Sequence, residues 1–531
     1  MKVKRCKFIG VYLPLLLIIV YLSCSYLLYR FGCYIWPFRK DFKTFIFVLS
    51  CILFLTLGYA LAVRNKQSRT GVVILKLSAE KVLMVSCVAA LVMFLPICKA
   101  YTNSWYPPVI RTLLDPKGVY YELSEITLSR TGIRIWAFLD VFSYILFPLT
   151  LWAWEEIRKA VKIISIVTAI GYLMIYISSA RNIMVAVQML SIVAVWLSVV
   201  CVNRRETQKR KLGKITLLSA GYILLAICFF GMTMSARIGF SDDVYVALRE
   251  ESVDQNITGN AGTSNVGTGD SESSNVVNDN TEIAEKSESE NVKEFKASVE
   301  EWNATGVGQP VGSGTYFSNG LEITEEQLER FCDVYFIFPN YTDIWSKAYA
   351  NMEDPLVKRL PSGLANLYVI GSSYVTNGYN CLTVALHSEH KWTYGFGHSA
   401  FLSSYIDRFL HTNISERTYY HRLSNEQRYP LVSKSLWPSA FVQLADDLTF
   451  WGVVLFMSVL GFVVAKVWKS ILFENNYWGV LLLGQLMLGV LFLPANNILG
   501  NSGGFFVTFW SLFVAWFLSA FKIKKQISEN N

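Results

Sequence analysis

The sequence predicts an all-α integral membrane protein of about ten transmembrane helices, with one large extracytoplasmic loop that contains short amphipathic helices. Three observations carry this prediction. Hydrophobic residues make up 53% of the 531 and charged residues only 17%. The apolar residues come in runs of roughly 20, the length that spans a hydrocarbon core as a helix. Between two blocks of such runs lies one long polar insert in which no stretch crosses a bilayer easily.

In chain order the apolar segments are 8–29, 44–63, 82–98, 135–154, 163–178, 183–202 and 215–234, then 448–468, 477–493 and 504–521. The chain thus divides into an N-terminal membrane block 1–234, an extracytoplasmic loop region 235–447 and a C-terminal membrane block 448–531. Segments 82–98, 163–178 and 477–493 are short, and either tilt less or extend into their flanks. The first segment follows a basic start, Met1–Lys7, as a signal peptide does. It then runs on without a small-residue cleavage site, so it reads as a retained anchor.

Orientation follows from the basic residues that flank the segments. The stretch 204–214 holds Arg204, Arg205, Lys209, Arg210, Lys211 and Lys214, whereas 494–503 holds no basic residue. This bias predicts both termini in the cytoplasm and the long insert outside. Arg30, Arg39, Lys40 and Lys43 run against it. The net charge of +8 is then mostly a topology signal at the inner leaflet, and no nucleic-acid partner is expected.

Most of the ten cysteines fall in membrane segments, where they act as small apolar packing residues. Cys332 and Cys381 lie in the loop region, and a disulfide between them stays open in an oxidising compartment. No CxxC or CxxH spacing supports a structural zinc site.

The loop region is not uniform. Residues 250–294 are Ser, Asn, Gly, Thr and Glu with hardly any large apolar residue, which predicts a disordered tract, either a tether or a tolerated insertion. Sequons at Asn256, Asn303, Asn340 and Asn413 matter only in a eukaryotic secretory path. Thr324 with Gln327 forms a capping box ahead of a helix. The part 361–447 reads as ordered and functional.

Within it, 361–386 carries no charged residue. Gly371, Gly378 and the polar SSYVTNGYN centre predict helical pieces that lie at or dip into the outer interface. Residues 399–411 place Phe401, Leu402, Tyr405, Ile406, Phe409 and Leu410 on one helical face, opposite Ser403, Ser404, Asp407 and Arg408. Such a helix either lies on the membrane surface or packs against the bundle.

Three features point to chemistry. Arg181 sits in SSARN, a turn between two membrane segments, and Arg237 in SARIG, just past the seventh. An arginine at membrane depth costs about 2.5–3.5 kcal/mol at a helix centre, less near the interface. Either both snorkel to the surface, or they clamp a diphosphate through bidentate charge-assisted hydrogen bonds. The second feature is TYGFGHSAFL, 393–402, where His398 opens a helix and is either a general base or a structural hydrogen-bonder. It is one of five histidines, His387, His390, His398, His411 and His421, all close together in the loop region. The third is WPSAFVQLADDLTFWG, 437–452, which puts Asp446 and Asp447 where the eighth membrane helix begins. They either cap that helix through its dipole or act in catalysis by ordering a sugar hydroxyl or an arginine. Tyr374, Tyr379, Arg422 and Arg428 are candidates for glycan or headgroup contacts.

The chain holds no GxxxxGK[ST], no GxSxG and no HExxH, so nucleotide-driven transport and ordinary hydrolase chemistry lose support. Neither cofactor nor metal is expected. Energy for a reaction outside the cytoplasm then comes with the substrate, as in a lipid-diphosphate-linked sugar.

The runs SSARN, SARIG, SSYVTNGYNCLTVAL followed by WTYGFGHSAFL, and FVQLADDLTFWGVVLFMSVLGF resemble bacterial Wzy-type O-antigen polymerases, the oligosaccharide repeat-unit polymerases. The arrangement of ten-odd helices with one dominant outer loop is similar as well. The resemblance implies a membrane-embedded, metal-independent glycosyltransferase of the bacterial inner membrane. It would transfer a glycan from undecaprenyl diphosphate to the next lipid-linked repeat unit, building lipopolysaccharide or capsule. Membrane lipids, a chain-length regulator and a flippase are the implied partners. Arg181 and Arg237 look like the family's outward arginines, which would neutralise the diphosphate. The related O-antigen ligases carry a histidine shortly before a late helix, at a place corresponding to 437–447. This chain has none there, which favours polymerase. A flippase or transporter is expected to show internal repeats and charges deep in several helices, and Asp140 is the clearest such charge here.

Overall fold

The computed structural model describes the chain apart from residues 1, 35, 37, 66–71, 74–76, 117, 120–121, 124–138, 181, 204–211, 239–353, 424–437, 521 and 524–531. Each of the ten predicted apolar segments holds a helix among its described residues: α1 (Lys2–Phe31), α2 (Phe42–Arg64), α3 (Ala79–Thr102), α4 (Asp140–Trp152), α5 (Lys159–Ser178), α6 (Asn182–Asn203) and α7 (Leu212–Ile238) precede the loop region. Inside it lie α8 (Ser362–Leu386) and α9 (Ala400–Leu410), with short helical turns at Pro355–Arg359, Ile414–Arg417 and Tyr419–Arg422. After it come α10 (Ala440–Glu474), α11 (Tyr477–Phe492) and α12 (Gly503–Ala520). Among the described residues the one extended pairing is antiparallel, Val72–Val73 with Lys522–Ile523.

Eight of these helices are long and apolar enough to cross a membrane, while α4 and α11 are apolar but shorter. Residues with side-chain oxygens start several of them. Asp41 accepts from the Thr44 amide, Ser78 from Lys81, and Asn476 from Trp478 and Gly479, each satisfying donors that the first helical turn leaves open. On α2, Leu53, Leu57 and Leu61 are exposed while Cys51, Leu55, Tyr59 and Ala62 are buried. Both faces are apolar, as suits a helix with protein on one side and lipid on the other. Exposed Phe31, Phe42, Trp105 and Tyr106 sit near helix ends, where aromatic rings suit the membrane–water boundary.

The two membrane blocks form one bundle. Helices α2 and α10 cross with their backbones nearly touching: a Cβ added at Gly58 would fall 1.8 Å from the Ser458 carbonyl oxygen, and one at Gly461 2.1 Å from that of Leu55. Small residues permit this approach where lipid supplies little hydrophobic drive between helices. Lys469 of α10 donates to the carbonyls of Ala62, Val63 and Asn65 at 3.2, 3.2 and 2.9 Å, and so closes the C-terminal end of α2. The Tyr144 hydroxyl of α4 reaches the Leu481 carbonyl of α11 at 2.9 Å. Asp140, at the start of α4, is buried and accepts from the Tyr101 hydroxyl at 2.9 Å.

Helix α8 corrects the expectation of separate pieces at the interface, because 362–386 is one continuous helix. Its polar centre is spent on buried hydrogen bonds instead of a break. Trp36 donates to Thr376 at 2.9 Å, the hydroxyls of Tyr379 and Ser25 pair at 2.9 Å, and Thr383 meets Thr44 at 2.8 Å. These contacts hold α8 across the end of α1, the loop after it and the start of α2. Cys381 is a buried thiol on this helix. Cys332, the tract 250–294, Thr324, Gln327 and the sequons Asn256, Asn303 and Asn340 lie outside the described residues, and Asn413 is exposed.

Candidate functional site

The described residues bring His398 and Asp447 together. Positive φ angles at Tyr394 (57°) and Gly395 (86°) turn the 393–399 loop over the first turns of α10. The amides of Gly395, Gly397 and His398 then converge on the Asp447 carboxylate at 2.8, 3.2 and 2.8 Å. Successive main-chain amides make a natural cradle for an anion, and here the chain supplies its own. The Thr393 hydroxyl stands between the Asp446 carbonyl and the Asp447 carboxylate, and its single proton is shared between the two acceptors. Glycine is required at 397, since a Cβ there would fall 2.3 Å from Thr393 Oγ1.

His398 completes the arrangement. Its Nδ1 lies 2.8 Å from Asp447 Oδ2. An ionised carboxylate only accepts, so the neutral imidazole carries its proton on Nδ1 and leaves Nε2 as a base. The His398 side chain is 31% exposed and that of Asp447 only 5%. The ring therefore faces outward with the carboxylate behind it, an arrangement able to draw a proton from a bound hydroxyl and stabilise the resulting imidazolium.

The connection between α11 and α12 supports the loop from beneath. Asn497 donates to the His398 carbonyl at 2.7 Å, and its own amide donates to Gln443 Oε1 at 2.8 Å. Gln443 and Asn501 exchange side-chain hydrogen bonds, and Ser399 donates to the Gly500 carbonyl. These amides were not among the predicted site residues. Their signal in the sequence is the run PANNILGNSGG, rich in amide and small side chains between two apolar segments.

Helix α10 is interrupted at Thr449, whose φ of 62° and ψ of 166° lie in a region that normally needs glycine. The cap of α10 is Ser439, which accepts from the Val442 amide. Asp446 and Asp447 therefore do not cap the helix, because they lie in its second turn, just before the interruption. Their roles also diverge. Asp446 is 1% exposed and accepts from the Tyr419 amide at 2.7 Å, with no partner for Oδ2 among the described residues. Burial keeps it from touching a substrate, which corrects its place among the catalytic candidates.

Two predicted glycan or headgroup contacts are corrected in the same way. Tyr379 is fully buried against Ser25 and serves the core. Arg422 is buried, donates to the carbonyls of Glu389 and Arg417 at 2.8 and 3.1 Å, and stacks on Tyr419. It holds the loop together and does not reach outward. Tyr374 keeps an exposed edge and packs against Phe230. Arg181 and Arg428 lie outside the described residues, and of Arg237, near the end of α7, only the backbone is described.

Around this core, His390 packs against the rings of Trp392 and Tyr419 at 4.8 and 6.0 Å. Burial, and then the nearby Arg422 charge, lower its pKa below the ordinary 6.5. Asp407 takes hydrogen bonds from Thr412, Ile414 and Ser415 and fastens the end of α9. Burial alone would raise its pKa, and those hydrogen bonds outweigh it and hold it below 3.8. His387 approaches Asp41 at 3.2 Å and ties the end of α8 to the start of α2. In comparison with known proteins, the chain matches no protein-family model, no curated protein and no solved structure.

Proposed function

We propose that this chain is a membrane-embedded glycosyltransferase that polymerises undecaprenyl-diphosphate-linked repeat units at the outer face of a bacterial plasma membrane. The observation that carries the reading is the outward His398 ring held at Nδ1 by the buried Asp447 carboxylate, 2.8 Å away. A hydroxyl of the acceptor sugar attacks the anomeric carbon of the donor glycan. Its proton passes to His398 Nε2 as the new C–O bond forms. The bond to undecaprenyl diphosphate breaks, and the leaving group departs with the electron pair. Arg181 and Arg237 neutralise the charge that develops on it. Asp447 stabilises the transient imidazolium, and a base of this kind contributes about 10²–10⁴ in rate.

One observation favours a second reading. The fold carries His398 to Asp447, within the 437–447 stretch where the sequence has no histidine of its own. That position suits an O-antigen ligase, which moves the glycan to a different acceptor. A glycan gel of a deletion strain separates the two. Single repeat units without a ladder support the polymerase. Loss of all ligated sugar sinks it and points to the ligase or to a flippase. Arg181→Ala and Arg237→Ala are expected to abolish long chains while the protein still inserts, and normal chain length in both removes the diphosphate clamp.

A further inference from the structure

An aromatic ladder runs without interruption from the loop region onto a membrane-spanning helix. On α9, Phe409 stacks on Tyr405 (6.1 Å), and Tyr405 meets Phe401 in a tilted contact (4.8 Å). Phe401 meets Phe506 of α12 at 5.5 Å, and the series continues down α12 through Trp510, Phe513 and Phe517. On α12, Trp510, Val514 and Phe517 are exposed. A helix long and apolar enough to cross a membrane meets hydrocarbon on such a strip. At the other end of the ladder, Phe409 is 71% and Leu410 65% exposed, the two exposed large apolar side chains of α9.

Helix α9 is fixed at both ends. Its first turn is held by Ser399 on the Gly500 carbonyl and by the Ala400 amide on Asn501 at 3.3 Å. Its last turn is held by Asp407, which accepts from the Thr412 hydroxyl and the Ile414 amide, both at 2.7 Å. A clamped helix cannot rotate to hide Phe409 and Leu410. Ser404 and Arg408, on another face, are exposed and polar. This division suits a helix lying in the plane of a lipid boundary, with its apolar side sunk about 5–10 Å. Trp451, exposed four residues beyond Asp447 on α10, suits the same level.

We infer that α9 is an interfacial anchor: Phe409 and Leu410 enter the leaflet that surrounds the N-terminal end of α12, and Arg408 stays in the headgroup layer. The partner is the lipid surface, and its hydrocarbon is continuous with that covering Trp510, Val514 and Phe517. Because α9 starts two residues after His398, the anchor sets the depth of the imidazole at the headgroup layer. The inference needs the membrane-spanning helices alone and stands whether or not the proposed transfer reaction is correct.

Spin labels at Leu410→Cys and Arg408→Cys test it, in the full-length protein in phospholipid nanodiscs with Cys6, Cys24, Cys228 and Cys332 replaced by serine. Collision with oxygen is compared with collision with a water-soluble nickel chelate. At 410 oxygen is expected to exceed nickel, and at 408 nickel to exceed oxygen. Nickel in excess at both positions overturns the inference, and so does oxygen in excess at both. Phe409→Cys repeats the apolar measurement if the label at 410 disturbs folding. The glycan ladder does not enter this test, so its outcome is separate from that of the proposed reaction.

Discussion

His398 Nδ1 and Asp447 Oδ2 lie 2.8 Å apart, although 49 positions separate the two residues in the chain. The carboxylate also receives three main-chain amides from the loop that carries the histidine. One acidic side chain thus both folds the loop and fixes the tautomer of its imidazole. Asp447→Asn keeps the shape and changes what the imidazole meets at Nδ1. Glycan polymerisation is expected to fall by about two to four orders of magnitude, while membrane insertion is retained. A ladder of normal length and intensity from this variant would remove His398 from the reaction.

Gly397→Ala is expected to act through Thr393. The new methyl would stand 2.3 Å from Thr393 Oγ1 and 2.5 Å from its Cβ. Either Thr393 leaves Asp447 or the loop shifts. Polymerisation should drop sharply, and Thr393→Gly combined with Gly397→Ala should recover part of it by removing all three side-chain atoms that clash. Such recovery is a non-additive pair effect, read directly from the four ladders. Strictly additive losses would argue against this contact.

Gly58→Ala forces a methyl onto the Ser458 carbonyl, 1.8 Å away, where backbone must move. Overpacking of this kind costs about 1–3 kcal/mol. The thermal midpoint of the detergent-solubilised protein is expected to fall measurably. Gly371→Ala is the control, since nothing lies within 4 Å of its added Cβ. An equal drop in both variants would contradict the close crossing of α2 and α10.

His390 gives a pH signature. Its pKa is below 6.5 in the folded protein because burial and Arg422 disfavour the imidazolium. Below pH 6.5 the unfolded chain therefore binds more protons at this site than the folded one. Stability from this group is complete above pH 6.5 and declines as pH falls through the window beneath it. Thermal midpoints recorded from about pH 7.5 to about pH 5 should show this decline, and His390→Phe should flatten it. An unchanged slope in the variant would assign the decline to other groups.

The membrane helices were legible because each stretch must be apolar along its whole length, and that signal is local. Legible too was α9, whose two faces alternate at helical spacing. The continuity of α8 was not legible. Its polar centre reads as a break until Ser25, Trp36 and Thr44 are found opposite it, and those residues lie more than three hundred positions away. His398 and Asp447 were each visible as residues of interest, from the glycine-rich run and from the paired acids. Their partnership was not, because it depends on positive φ at Tyr394 and on an interruption at Thr449, a residue that gives no hint of one. Tyr379 and Arg422 misled for a related reason: residue type suggests contact with a ligand, and only packing shows that both face inward.

The Lys469 contacts carry a consequence for biosynthesis. The Ala62 carbonyl that this lysine satisfies lies 407 positions upstream. At about 5–20 residues per second, the ribosome needs roughly 20 to 80 s to make the intervening chain. Throughout that interval α2 lacks both the lysine that meets its last carbonyls and the backbone that packs on Gly58. The N-terminal helices are thus a half-assembled intermediate that only the arrival of α10 completes. A nascent chain arrested before residue 440 should present that intermediate to the quality-control proteases of the membrane.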